Sequence, residues 1–256
     1  LATRTGRAIG QIAALPTSSL ATLVDADAAE PGAGREAPAG AAAAAPAPAV
    51  DHLRACLDAI GRFDGMALDA VLRRAVVALS AEAFLDALVV PLWERVAQRV
   101  RDGELRASHR HLTLAVLRRA LDRVIEAATT PLAAPALVLT TPSGQSHELG
   151  ALLAAAAAAA EGWRVTYVGP GLPAEDIVET AVHTGARAVA LSLGAAAGDR
   201  VVTRELRRLR ALLPGDVAIL VEGAAADAYR GVIRETGATV LRDLPALRMR
   251  LHALRR

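Results

Sequence analysis

At 256 residues, with a net charge of +2 and a pI near 9.3, the chain has room for one large domain or two small ones. Its 29 basic residues are all arginine, and they are scattered along an alanine-rich sequence rather than gathered into a phosphate-binding stripe. One cysteine, Cys56, excludes an internal disulfide and a cysteine metal cluster. No apolar run reaches membrane length, so a cytoplasmic protein is the expectation.

The chain starts at leucine, which suggests a piece of something longer. Residues 1–24 carry Ile9, Ile12, Leu15, Leu20 and Leu23 among small and polar residues, enough for short helices but not for a core. Residues 25–50 shift to alanine, proline and glycine with almost no aliphatic anchors. Such a stretch buries too little surface to offset its ordering entropy and reads as a flexible linker.

Residues 51–130 are helical in pattern. Leu53, Cys56, Leu57 and Ile60 form a first stripe, and Leu68, Val71, Leu72, Ala75, Val76 and Leu79 a second. Phe84 to Val100 gives a third, stopped at Asp102-Gly103, and Leu112 to Ile125 a fourth. Four amphipathic helices with short breaks predict an antiparallel bundle. Pro91 should kink the third helix or mark an irregular start.

Residues 131–256 change rhythm. Strand-like runs at 136–141, 165–168, 188–193, 217–221 and 239–241 alternate with helical patterns at 147–161, 173–184, 200–213, 225–236 and 243–254. Alternating β and α elements predict a parallel sheet covered on both faces, here in a flavodoxin-like order of five strands. The fold class is therefore α/β plus all-α: a four-helix bundle followed by a Rossmann-like domain.

Chemistry concentrates after the first strand, in ALVLTTPSGQSHELG. His147 lies in a short loop at the carboxyl end of that strand, where open sheets bind ligands, and imidazole is a competent metal ligand. A loop histidine that only caps the next helix would show the same spacing. Ser192 and Glu222-Gly223, at the ends of the third and fourth strands, point to the same sheet edge. Ser192 lacks a nucleophile elbow and is better placed to donate a hydrogen bond to a ligand. His109 and His111 are two apart and do not share a helix face. Trp93 and Val100, seven apart, do share one; bundle core and a lid over a flat ligand are both open to Trp93.

These pieces together resemble the cobalamin-binding modules of methionine synthase and its relatives, whose D/E-x-H-x-x-G motif supplies the lower cobalt ligand. Here the stretch is Gln145-Ser146-His147-Glu148-Leu149-Gly150: histidine and glycine match, and the acid is Gln145. The nearer resemblance is to cobalamin-dependent, light-sensing repressors of the MerR family. It is carried by TGRAIGQIAALPTSSL near the start, PLWERVAQRVRDGELRASHRH at 91–111, HELG and VTYVGPGLP. Residues 1–24 then resemble the end of a DNA-binding domain whose helix-turn-helix is missing from this sequence. Those repressors carry a W-x9-E-H pattern over the upper face of the cofactor. Its positions here are Val100, Arg110 and His111, so only the histidine matches, and Trp93 lies two turns earlier on the same face. Glu222 stands where the family has a second glycine before Gly223.

The resemblance implies cobalamin, in its adenosyl form, as cofactor, with His147 as cobalt ligand. It implies further contacts from Gln145, Ser146, Gly150, Ser192 and Gly223, and a cap of Trp93, Val100 and His111. It also implies a non-enzymatic regulator that binds operator DNA as a homo-oligomer controlled by ligand or light. Two other readings share the same residues. One is a divergent module that binds another tetrapyrrole or serves protein interaction and oligomerisation. The other is a corrinoid carrier for methyl transfer.

Overall fold

The computed structural model describes residues 47–194 and 200–255. Residues 1–24, and 25–46 of the expected linker, lie outside the described residues. The last four residues of that expected linker are already helical.

Helix α1 spans Ala47–Gly61 and buries Leu53, Cys56, Ala59 and Ile60. Phe63 turns the chain in a left-handed conformation, φ +56°. The Asp64 carboxylate then accepts from the Ala67 N–H and caps α2, Gly65–Ala78. A π-helical segment, Ala83–Val89, runs directly into α3, Val90–Arg101, with the Val90 N–H donating to the Leu85 carbonyl. Pro91 explains the irregularity. It has no N–H to offer, and its ring crowds the carbonyl four residues back, so the preceding turn widens. Helix α4, Ala107–Ala127, closes the bundle. Its N-terminus is held by a reciprocal cap in which the Arg106 N–H donates to His109 Nδ1, while the His109 ring meets Phe63 edge-on at 5.1 Å. His109 is therefore a structural histidine.

The sheet follows: β1 Ala136–Thr140, β2 Arg164–Tyr167, β3 Ala186–Ser192, β4 Ala218–Glu222 and β5 Thr239–Val240. All neighbours are parallel, and the order is β2-β1-β3-β4-β5. Between the strands lie α5 Leu149–Ala160, α6 Ala174–Thr184, α7 Arg200–Leu212, a 3-10 turn Ala226–Tyr229 continued by α8 Arg230–Glu235, and after β5 comes α9 Leu244–Leu254.

Alternation along the strands divides the core. Leu137, Leu139, Ala188, Ala190 and Leu220 face α5 and α9, and this cluster is continuous with the bundle core. Val138, Val189, Leu191, Ile219 and Val221 face α6, α7 and α8. Helix α5 is sandwiched between sheet, α4 and α9. That is why it is alanine on nearly every side: Ala155 to Ala158 are fully buried, and only a methyl-sized side chain lets the helix sit close to neighbours all round. Ion pairs stitch the layers. Arg248 on α9 reaches Asp86 of the π segment at 2.6 and 3.2 Å, and Arg118 on α4 reaches Glu148 at the head of α5 at 2.9 Å. No helix among the described residues is long and apolar enough to cross a membrane.

Candidate functional site

The strand order reverses between β1 and β3, so the loops leaving their carboxyl ends diverge and open a crevice. The β1 loop carries Gln145, Ser146 and His147. The β3 end carries Ser192, Leu193 and Gly194.

Two buried threonines anchor the β1 loop. Thr140 Oγ1 donates to the Gly169 carbonyl at 2.6 Å. Thr141 Oγ1 donates to the Gln145 carbonyl at 2.6 Å and accepts from the Gly171 N–H at 2.8 Å. The Ser143 N–H donates to the Leu172 carbonyl at 2.8 Å. The loop after β1 is thereby tied to the loop after β2. Gln145 is buried, and its Oε1 accepts from the Gly194 N–H at 3.0 Å. The residue that replaces the motif acid thus joins the two loops of the crevice. Gly194 is glycine for a steric reason: a Cβ there would lie 2.8 Å from the His147 Cβ. This packing sets the imidazole of His147 at the crevice with its side chain exposed, and Ser146 is exposed beside it.

Glu148 connects the histidine to the bundle. Its carboxylate accepts from Arg118 on α4 and, at 2.8 Å, from the Tyr167 hydroxyl at the end of β2. Burial, and then the bond to Glu148, raise the Tyr167 phenol well above its ordinary range. Asp122 on α4 is also raised, mainly by burial. The sequence reading missed Thr141, Arg118 and Tyr167. A buried threonine at a strand end was visible as a signal, whereas the contact of Arg118 and Tyr167 with Glu148 depends on how α4 docks.

Deeper in the crevice, Gly150, Ser192 and Glu222 converge. A Cβ on Gly150 would meet Ser192 Oγ at 2.3 Å and Glu222 Oε1 at 2.7 Å. The Ser192 hydroxyl hydrogen-bonds the Glu222 carboxylate, but burial dominates and holds this carboxyl above the usual carboxylate range. Oε1 of Glu222 is buried without a hydrogen-bond partner. Gly223 follows at φ +107°, and a Cβ there would strike the Leu193 carbonyl oxygen at 2.5 Å. Its part is to let the ends of β3 and β4 cross closely, with Leu193 N–H to Glu222 O at 2.8 Å and Ala225 N–H to Leu193 O at 2.9 Å. A cavity of about 350 Å³ opens beside Gly150 and Glu222, lined by the apolar Val90, Leu153, Leu244 and Pro245 and by the charged Asp86, Glu94, Arg242 and Asp243.

The structure thus brings Gln145, Ser146, His147, Gly150, Ser192 and Gly223 to one sheet edge. Trp93, Val100 and His111 lie on the bundle. Trp93 and Val100 are part-buried against its core, and His111 is exposed. The Arg110 guanidinium sits 4.9 Å from the centre of the Trp93 ring, so Arg110 at the family's glutamate position is a cation–π partner of the tryptophan.

Comparison with known proteins decides what kind of crevice this is. Residues 135–242 match the B12 binding domain family, and residues 52–125 match a second family of B12 binding domains. Both the helical and the α/β segments of the described chain thus match families of B12 binding domains. It is 31% identical over 146 residues to the HTH-type transcriptional repressor CarA of Myxococcus xanthus, covering 57% of this chain and 49% of that protein. It is 30% identical over 176 residues to the HTH-type transcriptional repressor CarH of the same organism, covering 69% and 58%. The chain therefore spans about half the length of the repressors it matches. A monomethylamine corrinoid protein of Methanosarcina barkeri shares the fold, with a TM-score of 0.58 and 18% identity over 80% of this chain and 99% of that one. The B12-binding domains here also suit a corrinoid on their own geometry. They present an exposed imidazole at the switch point, a glycine that makes room for it, and a cavity with an unpaired buried polar atom next to it.

Proposed function

We propose that this chain is the sensor region of a transcriptional regulator, binding cobalamin between its sheet edge and its helical bundle. The observation that carries this reading is the placement of His147, held at the β1–β3 switch point by the Thr141, Gln145 and Gly194 contacts. His147 would hold the cobalt from below, and Ser146, Gly150 and Ser192 would line the path beneath. Trp93, Val100 and His111 would cap the opposite face. Bound here, the cofactor would supply a cobalt whose upper ligand, a 5′-deoxyadenosyl group, can be lost to light.

What the protein's own residues contribute is a link between that site and the bundle. Glu148, the residue after His147, receives Arg118 from α4 and Tyr167 from β2. A shift of the histidine loop would therefore disturb the Arg118–Glu148 contact between α4 and the head of α5. For this to act as a switch, the bound ligand must have different affinities for two seatings of the bundle. The output would be a change of homo-oligomer and hence of binding to operator DNA through the repressor's DNA-binding domain, in the cytoplasm. A second reading has one observation behind it: the Trp93 face already carries Arg110, as in a module that keeps the scaffold for protein contacts or for another tetrapyrrole.

His147→Ala tests the assignment. Corrinoid affinity should fall by more than about tenfold, the least that metal sites lose when even a supporting group is removed, and the cobalt spectrum should change. Unchanged affinity together with an unchanged spectrum would remove His147 as the ligand.

A further inference from the structure

Along the sequence the arginines look scattered, but helix α7 is where folding gathers them. Its stretch RVVTRELRRLRAL carries five. At 3.6 residues per turn, Arg200, Arg204, Arg207 and Arg208 fall within about 100° of arc. Val202, Leu206 and Leu209 take the other side and are buried against the sheet. Arg210 turns back into the protein and donates to the carbonyls of Leu213 and Pro214 at 2.7 Å, so it is structural. The other four are exposed. Arg207 meets Glu235 at 2.8 Å and Arg208 meets Glu175 at 2.7 Å, with every partner more than half exposed. Ion pairs in that setting hold their members weakly. Arg204, 71% exposed, has Glu205 at 3.6 Å, but that carboxylate also accepts from the Ala174 N–H at the head of α6. Three glutamates thus face four arginines, and Arg200 has no acidic partner among the described residues. Arg200, Thr203, Arg204 and Arg207 line a shallow hollow of about 320 Å³.

This face holds no large apolar side chain. A protein–protein interface is built round an apolar core, and a membrane-surface helix keeps its bulky apolar side free for lipid, whereas here that side is inside the domain. A row of guanidiniums with nothing apolar among them suits phosphate groups, which arginine grips through two N–H donors at once. Arg200 and Arg204 are about 6 Å apart along the helix axis and Arg207 about 4.5 Å further, so one run of sugar–phosphate backbone can meet all three. We propose that the exposed face of α7, through Arg200, Arg204 and Arg207, is an auxiliary contact for the phosphate backbone of duplex DNA. The sensor region itself would make it, without regard to base sequence, from the side of the sheet away from the bundle. This rests on the regulator reading above and adds to it a second point of attachment outside the DNA-binding domain.

The test is fluorescence anisotropy of a labelled duplex of arbitrary sequence, titrated with the full chain at salt concentrations from about 50 to about 200 mM. Three phosphate contacts predict a slope of log affinity on log salt of about −2.7, a roughly fortyfold loss across that range. A duplex of shuffled sequence should behave alike. Arg200→Gln, Arg204→Gln and Arg207→Gln together, all at exposed positions, should bring the slope close to zero, each taking away about one. Arg54→Gln, Arg62→Gln and Arg73→Gln together, exposed on the bundle, remove the same charge and should leave the slope as it is. Equal losses in the two triple variants would make net charge the cause and overturn the contact. So would a wild type that binds vesicles of phosphatidylserine and phosphatidylcholine but not the duplex. An α7 variant that sediments differently yet binds the duplex as before would also overturn it and make this face a contact between copies. Each of these results leaves the corrinoid reading standing, because His147→Ala tests that reading separately and should not alter duplex binding through α7.

Discussion

Glu222 is one buried carboxyl whose ionisation sets part of the stability. Its folded pKa lies above the ordinary glutamate value because burial penalises the charge. Below that ordinary value both folded and unfolded chains are protonated, and the penalty vanishes. As pH rises the unfolded chain ionises first, so the stability contributed by the protonated group is lost towards its raised folded pKa. Glu222→Gln removes this dependence. The melting temperature of the variant relative to wild type should therefore climb as pH rises above the ordinary glutamate value of about 4.3. A difference that stays flat with pH would show that Glu222 is ionised and solvated. His147, its histidine motif and Gly150 were legible in the sequence because loop position and residue type together mark them. Glu222 was legible only as a departure from a glycine. That it bonds Ser192 and leaves Oε1 unpaired depends on the register of β3 with β4, which one sequence does not display. Gly223 was read as a cofactor contact, whereas its strongest constraint here is the backbone of Leu193, 2.5 Å from where its Cβ would be.

At the scale of elements, periodicity carried most of the fold. Strand runs expected at 136–141 and 217–221 appear as Ala136–Thr140 and Ala218–Glu222, and the fourth bundle helix as Ala107–Ala127. Short parallel strands buried on both faces are near-continuous apolar runs between helices, which is a strong signal. The π segment before Pro91 was foreseen only as an irregularity, since proline disturbs a helix without dictating how the turn accommodates it. Docking of elements was not legible at all. Arg248 and Asp86 are 162 residues apart, yet they pin α9 to the π segment through a part-buried pair with Arg248 only 13% exposed. Arg248→Ala strands Asp86 near the cavity and should cost about 1.5–3 kcal/mol, as for a hydrogen bond to a charged group. Urea unfolding would measure it, and a change below about 0.5 kcal/mol, the scale of ordinary surface substitutions, would mean that α9 docks by apolar packing alone.

For the whole molecule, the bundle and the α/β domain share one continuous apolar core through α4, α5 and the sheet face of Leu137 and Leu139. The crevice at the switch point opens beside that junction, so a ligand seated there touches the element that joins the two domains. This makes cobalamin binding the claim on which the regulatory reading depends. Its most direct measurement is the absorption spectrum of the purified protein after incubation with adenosylcobalamin in the dark, desalting, and illumination with green light. A corrinoid band that survives desalting and shifts on illumination is the expected result. A colourless protein after desalting would contradict cobalamin binding and return these domains to a scaffold for another tetrapyrrole or for a protein partner.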